Sequence, residues 1–175
     1  MRCLRTMLLM LGCAALSACA ASGGGQVGRY APVDCAPFAR ALTGVQLSGA
    51  AEDWWYEAAG RYQRTGEPQV GAILVLSRST RLPDGHVAVV SRLVSAREVL
   101  VTQANWVHHR VTEDQPAIDV SARNDWSLVQ VWWPPTHQMG VTRYPALGFI
   151  LPDQPASHDA LIAATPQAIR VAENE

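Results

Sequence analysis

The sequence predicts an α+β domain in which helices come first and strands follow. Three observations carry this. Apolar residues between positions 34 and 60 recur at helical spacing, and each stretch closes on a glycine. Beyond the turn Gly66-Glu67-Pro68, short apolar runs alternate with turn signals. No internal repeat interrupts the pattern. Helices followed by strands favour an antiparallel sheet packed on the N-terminal helices, because a parallel sheet would need the two to alternate.

The elements follow in order. Asp34 is a favourable N-cap and Pro37 fits an early helical position, so the first helix starts at Asp34 or Cys35. Phe38, Ala39 and Leu42 form its apolar stripe, and Gly44 stops it. A second helix covers residues 50–59, buries Trp54, Trp55 and Ala58, and ends at Gly60. Strands are expected at 72–76, 87–90, 99–103, 118–120, 129–132 and 148–151. Pro83-Asp84-Gly85, Asn124-Asp125 and Pro134-Pro135 separate them. Residues 29–151 make one domain, and 152–175 form a Pro/Ala-rich tail whose peripheral helix, 159–171, is interrupted at Pro166.

Residues 1–18 have the parts of an export signal: Arg2 and Arg5, an apolar run over 7–16, then Leu16-Ser17-Ala18-Cys19. The run is shorter than the ~20 residues of a membrane-spanning helix. The last four residues match the pattern at which bacterial lipoproteins are cut and acylated. Cys19 then carries the lipid, and residues 19–28, with Gly23-Gly24-Gly25, are a flexible tether. Alanine after Cys19 favours the outer membrane, facing the periplasm. Cutting at Ala18-Cys19-Ala20 as an ordinary A-x-A site would instead release a soluble periplasmic protein. All 14 basic residues are arginine, the net charge is −1 and no basic run stands out, which argues against nucleic acid as a partner. Nothing in the chain speaks to oligomeric state.

With Cys3 and Cys13 in the signal and Cys19 acylated, Cys35 has no disulfide partner in an oxidising compartment. It opens a helix, where free N–H groups and the helix dipole favour a thiolate, so it is the candidate nucleophile. His86, in Gly85-His86-Val87, starts a strand, and Asn105, in Gln103-Ala104-Asn105-Trp106, ends the next. A two-residue turn at Ser95-Ala96 would face Val94 with Arg97 and set His86 directly opposite Asn105. Gln103 would then stand on the same face, opposite Ala88. In that arrangement His86 exchanges protons with the thiol and the leaving amine, Asn105 fixes the imidazole tautomer, and the Cys35 N–H stabilises the oxyanion. Trp55 and Trp106 are candidates for lining a substrate groove, while most of the six tryptophans serve the core. His108 and His109 would point to opposite faces of a strand, and no second cysteine supports a zinc site, so neither metal nor cofactor is expected.

The order Cys35, then Gly85-His86-Val87, then Asn105-Trp106 resembles the CHAP family of cysteine, histidine-dependent amidohydrolases and peptidases. Trp54-Trp55 and the run Pro68-Gln69-Val70-Gly71-Ala72-Ile73 add to the likeness, which covers about Val33 to Trp106. The resemblance implies a papain-like fold of the NlpC type. It also implies hydrolysis of peptidoglycan amide bonds, as amidase or endopeptidase, with Cys35 as nucleophile, His86 as base and Asn105 as third member. Many members carry an acidic residue or histidine two positions before that asparagine. This chain has Gln103 there, the alternative third member. The other reading is a catalytically weak envelope lipoprotein that binds cell-wall peptide in the same groove.

Overall fold

The computed structural model describes residues 27–175, so the export signal, Cys19 and most of the tether lie outside the described residues. Strand β1 (Arg29–Tyr30) leads into helix α1 (Cys35–Thr43). Gly44 ends α1 in the left-handed region at φ 76°, donating its N–H to the Arg40 carbonyl at 2.8 Å. Helix α2 (Asp53–Glu57) is shorter than the sequence implied, and irregular turns occupy both its flanks. The strands follow: β2 (Gln63–Thr65), β3 (Ile73–Leu76), β4 (His86–Ser95), β5 (Glu98–Ala104), β6 (Arg110–Asp119), β7 (Leu128–Trp133), β8 (Gln138–Met139) and β9 (Tyr144–Leu151). Helix α3 (His158–Ala172) comes last and runs through Pro166 without interruption.

Every strand pairing is antiparallel. The order β6-β5-β4-β3-β9-β7 closes on itself through β6–β7, which makes a barrel. The sequence placed only residues 118–120 in β6. Glu113, Asp114 and Pro116 give that stretch little strand character of its own, and pairing to β5, with β1 at its start and β7 at its end, supplies it.

Alternation along the strands divides the core in two. Leu74, Leu76, Ala88, Val90, Val99, Val101 and Phe149 pack in one cluster with Trp126 and Val131. Ile73, Val75, Val87, Val89 and Ile150 point the other way, against Phe38 and Leu42 of α1 and Trp54 of α2. Helix α3 belongs to this second cluster through Leu161, Ala168, Ile169 and Ala172. The segment set apart as a tail therefore helps to bury α1. Phe38 and Trp54 are fully buried, and truncating either to alanine removes about 3–5 kcal/mol.

Candidate active site

Cys35 is the first residue of α1, and its half-buried side chain faces a cleft of about 340 Å³. Asp34, Ala36 and Pro37 line the cleft from the helix side, residues 81–86 from the β3–β4 loop, and Asn105 from the end of β5. The loop reaches this position because residue 85 is glycine. Its φ is 76°, and a Cβ there would lie 2.6 Å from the Leu76 carbonyl oxygen and 2.9 Å from the Glu52 nitrogen. The Glu52 N–H in turn donates to the Asp84 carbonyl at 3.0 Å, tying the loop to the start of α2.

His86 begins β4, is 4 % exposed and shares its face with Ala88 and Val90. Its Nε2 lies 2.9 Å from Oε1 of Gln103, which is also buried. A carboxamide oxygen only accepts, so Nε2 carries the proton and Nδ1 is left for the thiol. Burial pushes the Cys35 thiol up, but the charge and hydrogen bond of His86, aided by the Val87 N–H, outweigh it, and the net direction is down. Burial likewise pushes His86 down, while the facing thiolate and the bonds to Cys35 and Gln103 carry it above the usual imidazole range. Both shifts run in the direction of thiolate and imidazolium. Gln103 Nε2 has no partner among the described residues, so the amide is committed to His86 by its oxygen alone.

Asn105 does not meet His86. The expected register is present at this end of the hairpin, with Val89 facing Thr102 and Val90 facing Val101, but it is reached by another route. The turn is Ala96-Arg97, with Ser95 facing Glu98, and two one-residue shifts restore the pairing. β5 then ends at Ala104, and Asn105 leaves the ladder at φ 58°. Its Nδ2 donates to Oδ1 of Asp34 at 2.8 Å, and its Oδ1 accepts from the His109 N–H at 3.0 Å. Gln103, one step inside the strand, is the residue beside the imidazole. Asparagine is among the few residues that enter the left-handed region readily, and its place just after an apolar run was the signal that it begins a turn.

That contact affects the helix end. Asp34 has N-cap backbone geometry, φ −83° and ψ 161°, yet its carboxylate caps nothing. Pro37 has no N–H, and the Phe38 N–H bonds to the Asp34 carbonyl at 3.2 Å. The first turn thus keeps the N–H groups of Cys35 and Ala36 as uncapped donors beside the sulfur.

Of the two tryptophans expected at a groove, Trp106 is beside the site, with its ring 5.0 Å from that of His86. Its Nε1 donates to the Trp132 carbonyl at 3.0 Å. Trp55 lies elsewhere, under the Arg64 guanidinium at 4.9 Å and against Gly148, and it does not line the cleft. His108 and His109 do not diverge as strand neighbours would. They sit in the turn after β5, with rings stacked at 3.7 Å, and no group of three His, Cys, Asp or Glu side chains gathers to hold a metal among the described residues.

Comparison with known proteins finds a family profile and several similar solved chains, nine in all. The family profile described as the CHAP domain matches residues 25–105. No curated protein matches the chain. The crystal structure of Ly7917 with the hydrolyzing product of MDP is similar at 18 % identity and a TM-score of 0.41. A second structure of Ly7917 gives 16 % and 0.40. Each alignment covers 73 % of this chain and 58 % of the other, so the chain spans little more than half the length of those proteins.

Proposed function

We propose that this chain, whose residues 25–105 match the CHAP domain profile, is a cysteine-dependent hydrolase of the bacterial cell envelope. It cleaves an amide bond of peptidoglycan, as amidase or peptide endopeptidase, on a papain-like fold. The observation that carries the reading is the grouping itself: Cys35 at an uncapped helix end shares one cleft with a buried His86 whose Nε2 is held by Gln103.

The steps follow from those atoms. The Cys35 thiolate attacks the amide carbonyl carbon, and the Cys35 and Ala36 N–H groups receive the oxyanion. His86 gives its Nδ1 proton to the departing nitrogen, so the C–N bond breaks and a thioester remains. His86 then takes a proton from water, and the hydroxide displaces the thiol to release the acid. Gln103 keeps the proton on Nε2 throughout and is the third member in place of Asn105. Asn105 is a positioning residue. By holding the Asp34 carboxylate, it keeps that group off the helix donors needed by the oxyanion. In the full chain, acylated Cys19 anchors the domain to the outer membrane, facing the periplasm.

A second reading has one observation in its favour. Gln103 is neutral, so it orients the imidazolium without stabilising it by charge, which fits a weak enzyme or a peptide-binding lipoprotein. Digestion of purified sacculi decides between them. The wild-type chain should release muropeptides with new amine termini, identified by mass spectrometry, and Cys35→Ser should release none. Equal digestion by both would rule out cysteine catalysis, and no release by either would leave the binding reading. Cys19→Ser should move the protein out of the membrane fraction, and unchanged fractionation would exclude the anchor.

A further inference from the structure

The β3–β4 loop carries two arginines with opposite fates. Arg78 pairs with Glu52 and Asp53, each at 2.9 Å, which fixes the loop to the start of α2. Directly after it, Ser79 and Leu82 exchange backbone hydrogen bonds of 2.9 and 3.1 Å, making a tight turn with Thr80-Arg81 at its tip. Arg81 is exposed and enters none of the ion pairs or side-chain hydrogen bonds of the described residues. A tethered turn thus presents an unpaired guanidinium.

Its position gives that charge a use. Arg81 lines the Cys35–His86 cleft, and it also lines a neighbouring cavity of about 240 Å³ walled by Trp106, Trp133 and Tyr144. Trp106, a wall of this cavity, has its ring 5.0 Å from the His86 imidazole. The cleft on the other side of Arg81 contains Asp34 and Asp84, which repel an anion. A substrate bearing a carboxylate can therefore place it at the guanidinium, which binds carboxylates in a two-pronged way, but not deeper beside the acids.

Resting on the peptidoglycan reading, we propose that Arg81 is a specificity-determining residue. It receives a side carboxylate of the stem peptide while the aromatic cavity holds the adjoining part of the chain. The enzyme would then discriminate between stem peptides with free carboxylates and those amidated at the same positions.

The test uses the full chain with Cys35→Ser, so that binding is measured without turnover. The probes are a synthetic stem tetrapeptide with free side carboxylates and the same peptide with side carboxamides, titrated calorimetrically. The free acid should bind tighter by roughly 10–100-fold, the range of a hydrogen bond to a charged group. Adding Arg81→Gln should erase the difference by weakening only the acid, and adding Arg81→Lys should keep part of it. An equal preference in the Arg81→Gln protein, or no measurable binding of either peptide with Arg81 present, would overturn the proposal. Sacculus digestion by the wild-type chain answers the parent question separately, so hydrolysis without carboxylate preference would reject only the role of Arg81.

Discussion

Helices α1 and α3 begin with nearly the same backbone and end up with opposite chemistry. Asp34 precedes α1 at φ −83° and ψ 161°, and Ser157 precedes α3 at φ −73° and ψ 163°. Ser157 turns its hydroxyl inward and accepts from the Ala160 N–H at 3.3 Å, closing the helix end. Asp34 is drawn outward by Asn105 and closes nothing. A capped end contributes stability. An uncapped end with a sulfur on its first residue keeps donors for a developing negative charge. The two helices also pack on each other, so α3 helps to hold in place the helix whose first residue is Cys35.

Removing what the uncapped end serves has the largest effect. Cys35→Ser should abolish hydrolysis with the fold retained, and His86→Ala should lower kcat by roughly 10²–10⁴-fold, the worth of general acid–base assistance. Both are read from the rate of amine release. Next comes the residue that orients the base. Gln103→Ala should lower kcat by roughly 10–100-fold, as loss of an orienting partner does for metal-bound histidines. Gln103→Glu should keep activity, because a carboxylate accepts the same bond and has no N–H to leave orphaned. A larger loss for Asn105→Ala than for Gln103→Ala would return Asn105 to the third position.

Closing the uncapped end is the sharper test. Asn105→Ala frees Asp34 to cap α1, and kcat should fall roughly tenfold with little change in KM, a fraction of what an oxyanion donor is worth. Adding Asp34→Ala should restore it, and a double variant as slow as the single would break the comparison. At the other helix, Ser157→Ala should lower stability by about 1 kcal/mol in denaturant unfolding and leave kcat alone.

The smallest effect concerns how α3 is held. His158 hydrogen-bonds Asp114 at 2.9 Å and Asp159 at 3.1 Å, which raises it above the usual imidazole range. Arg92 faces it as well, at 3.2 Å, and opposes that shift. Burial pushes Asp114 up, but its bonds to Ser91 and His158 and the charges of His158 and Arg92 hold it down overall. Stability from His158 is full below its unfolded value near ~6.5 and fades as pH rises through the folded one. Stability from Asp114 fades as pH falls through its own lowered value. Thermal midpoints should therefore decline slightly above neutrality in the wild type, and this decline should be absent in His158→Ala.

Much of the frame was legible. The Gly44 stop, the Phe38-Ala39-Leu42 stripe and five of the strands follow from local pattern, because there the local preference and the packing agree. What was missed depended on partners distant in sequence. The extent of β6 comes chiefly from its pairing with β5, and α3 belongs to the core only once α1 is in place beneath it. The positions of Cys35 and His86, at a helix start and a strand start, were readable, and the fold brings both to one cleft. Which of Gln103 and Asn105 lies beside the imidazole turned on one residue leaving the ladder, a backbone event that side-chain alternation does not encode. Arg81 carried no motif at all, and only the folding of its loop over the cleft gives it a role.

Whether His86 and the uncapped helix end hold Cys35 as a thiolate is read, without any substrate, from the rate of iodoacetamide alkylation against pH. In the wild-type chain the rate should rise at a pH well below the ~8.5 of a free cysteine. In His86→Ala the rise should move back towards that ordinary value. Coinciding profiles for the two proteins, both rising near the free-cysteine range, would contradict the account.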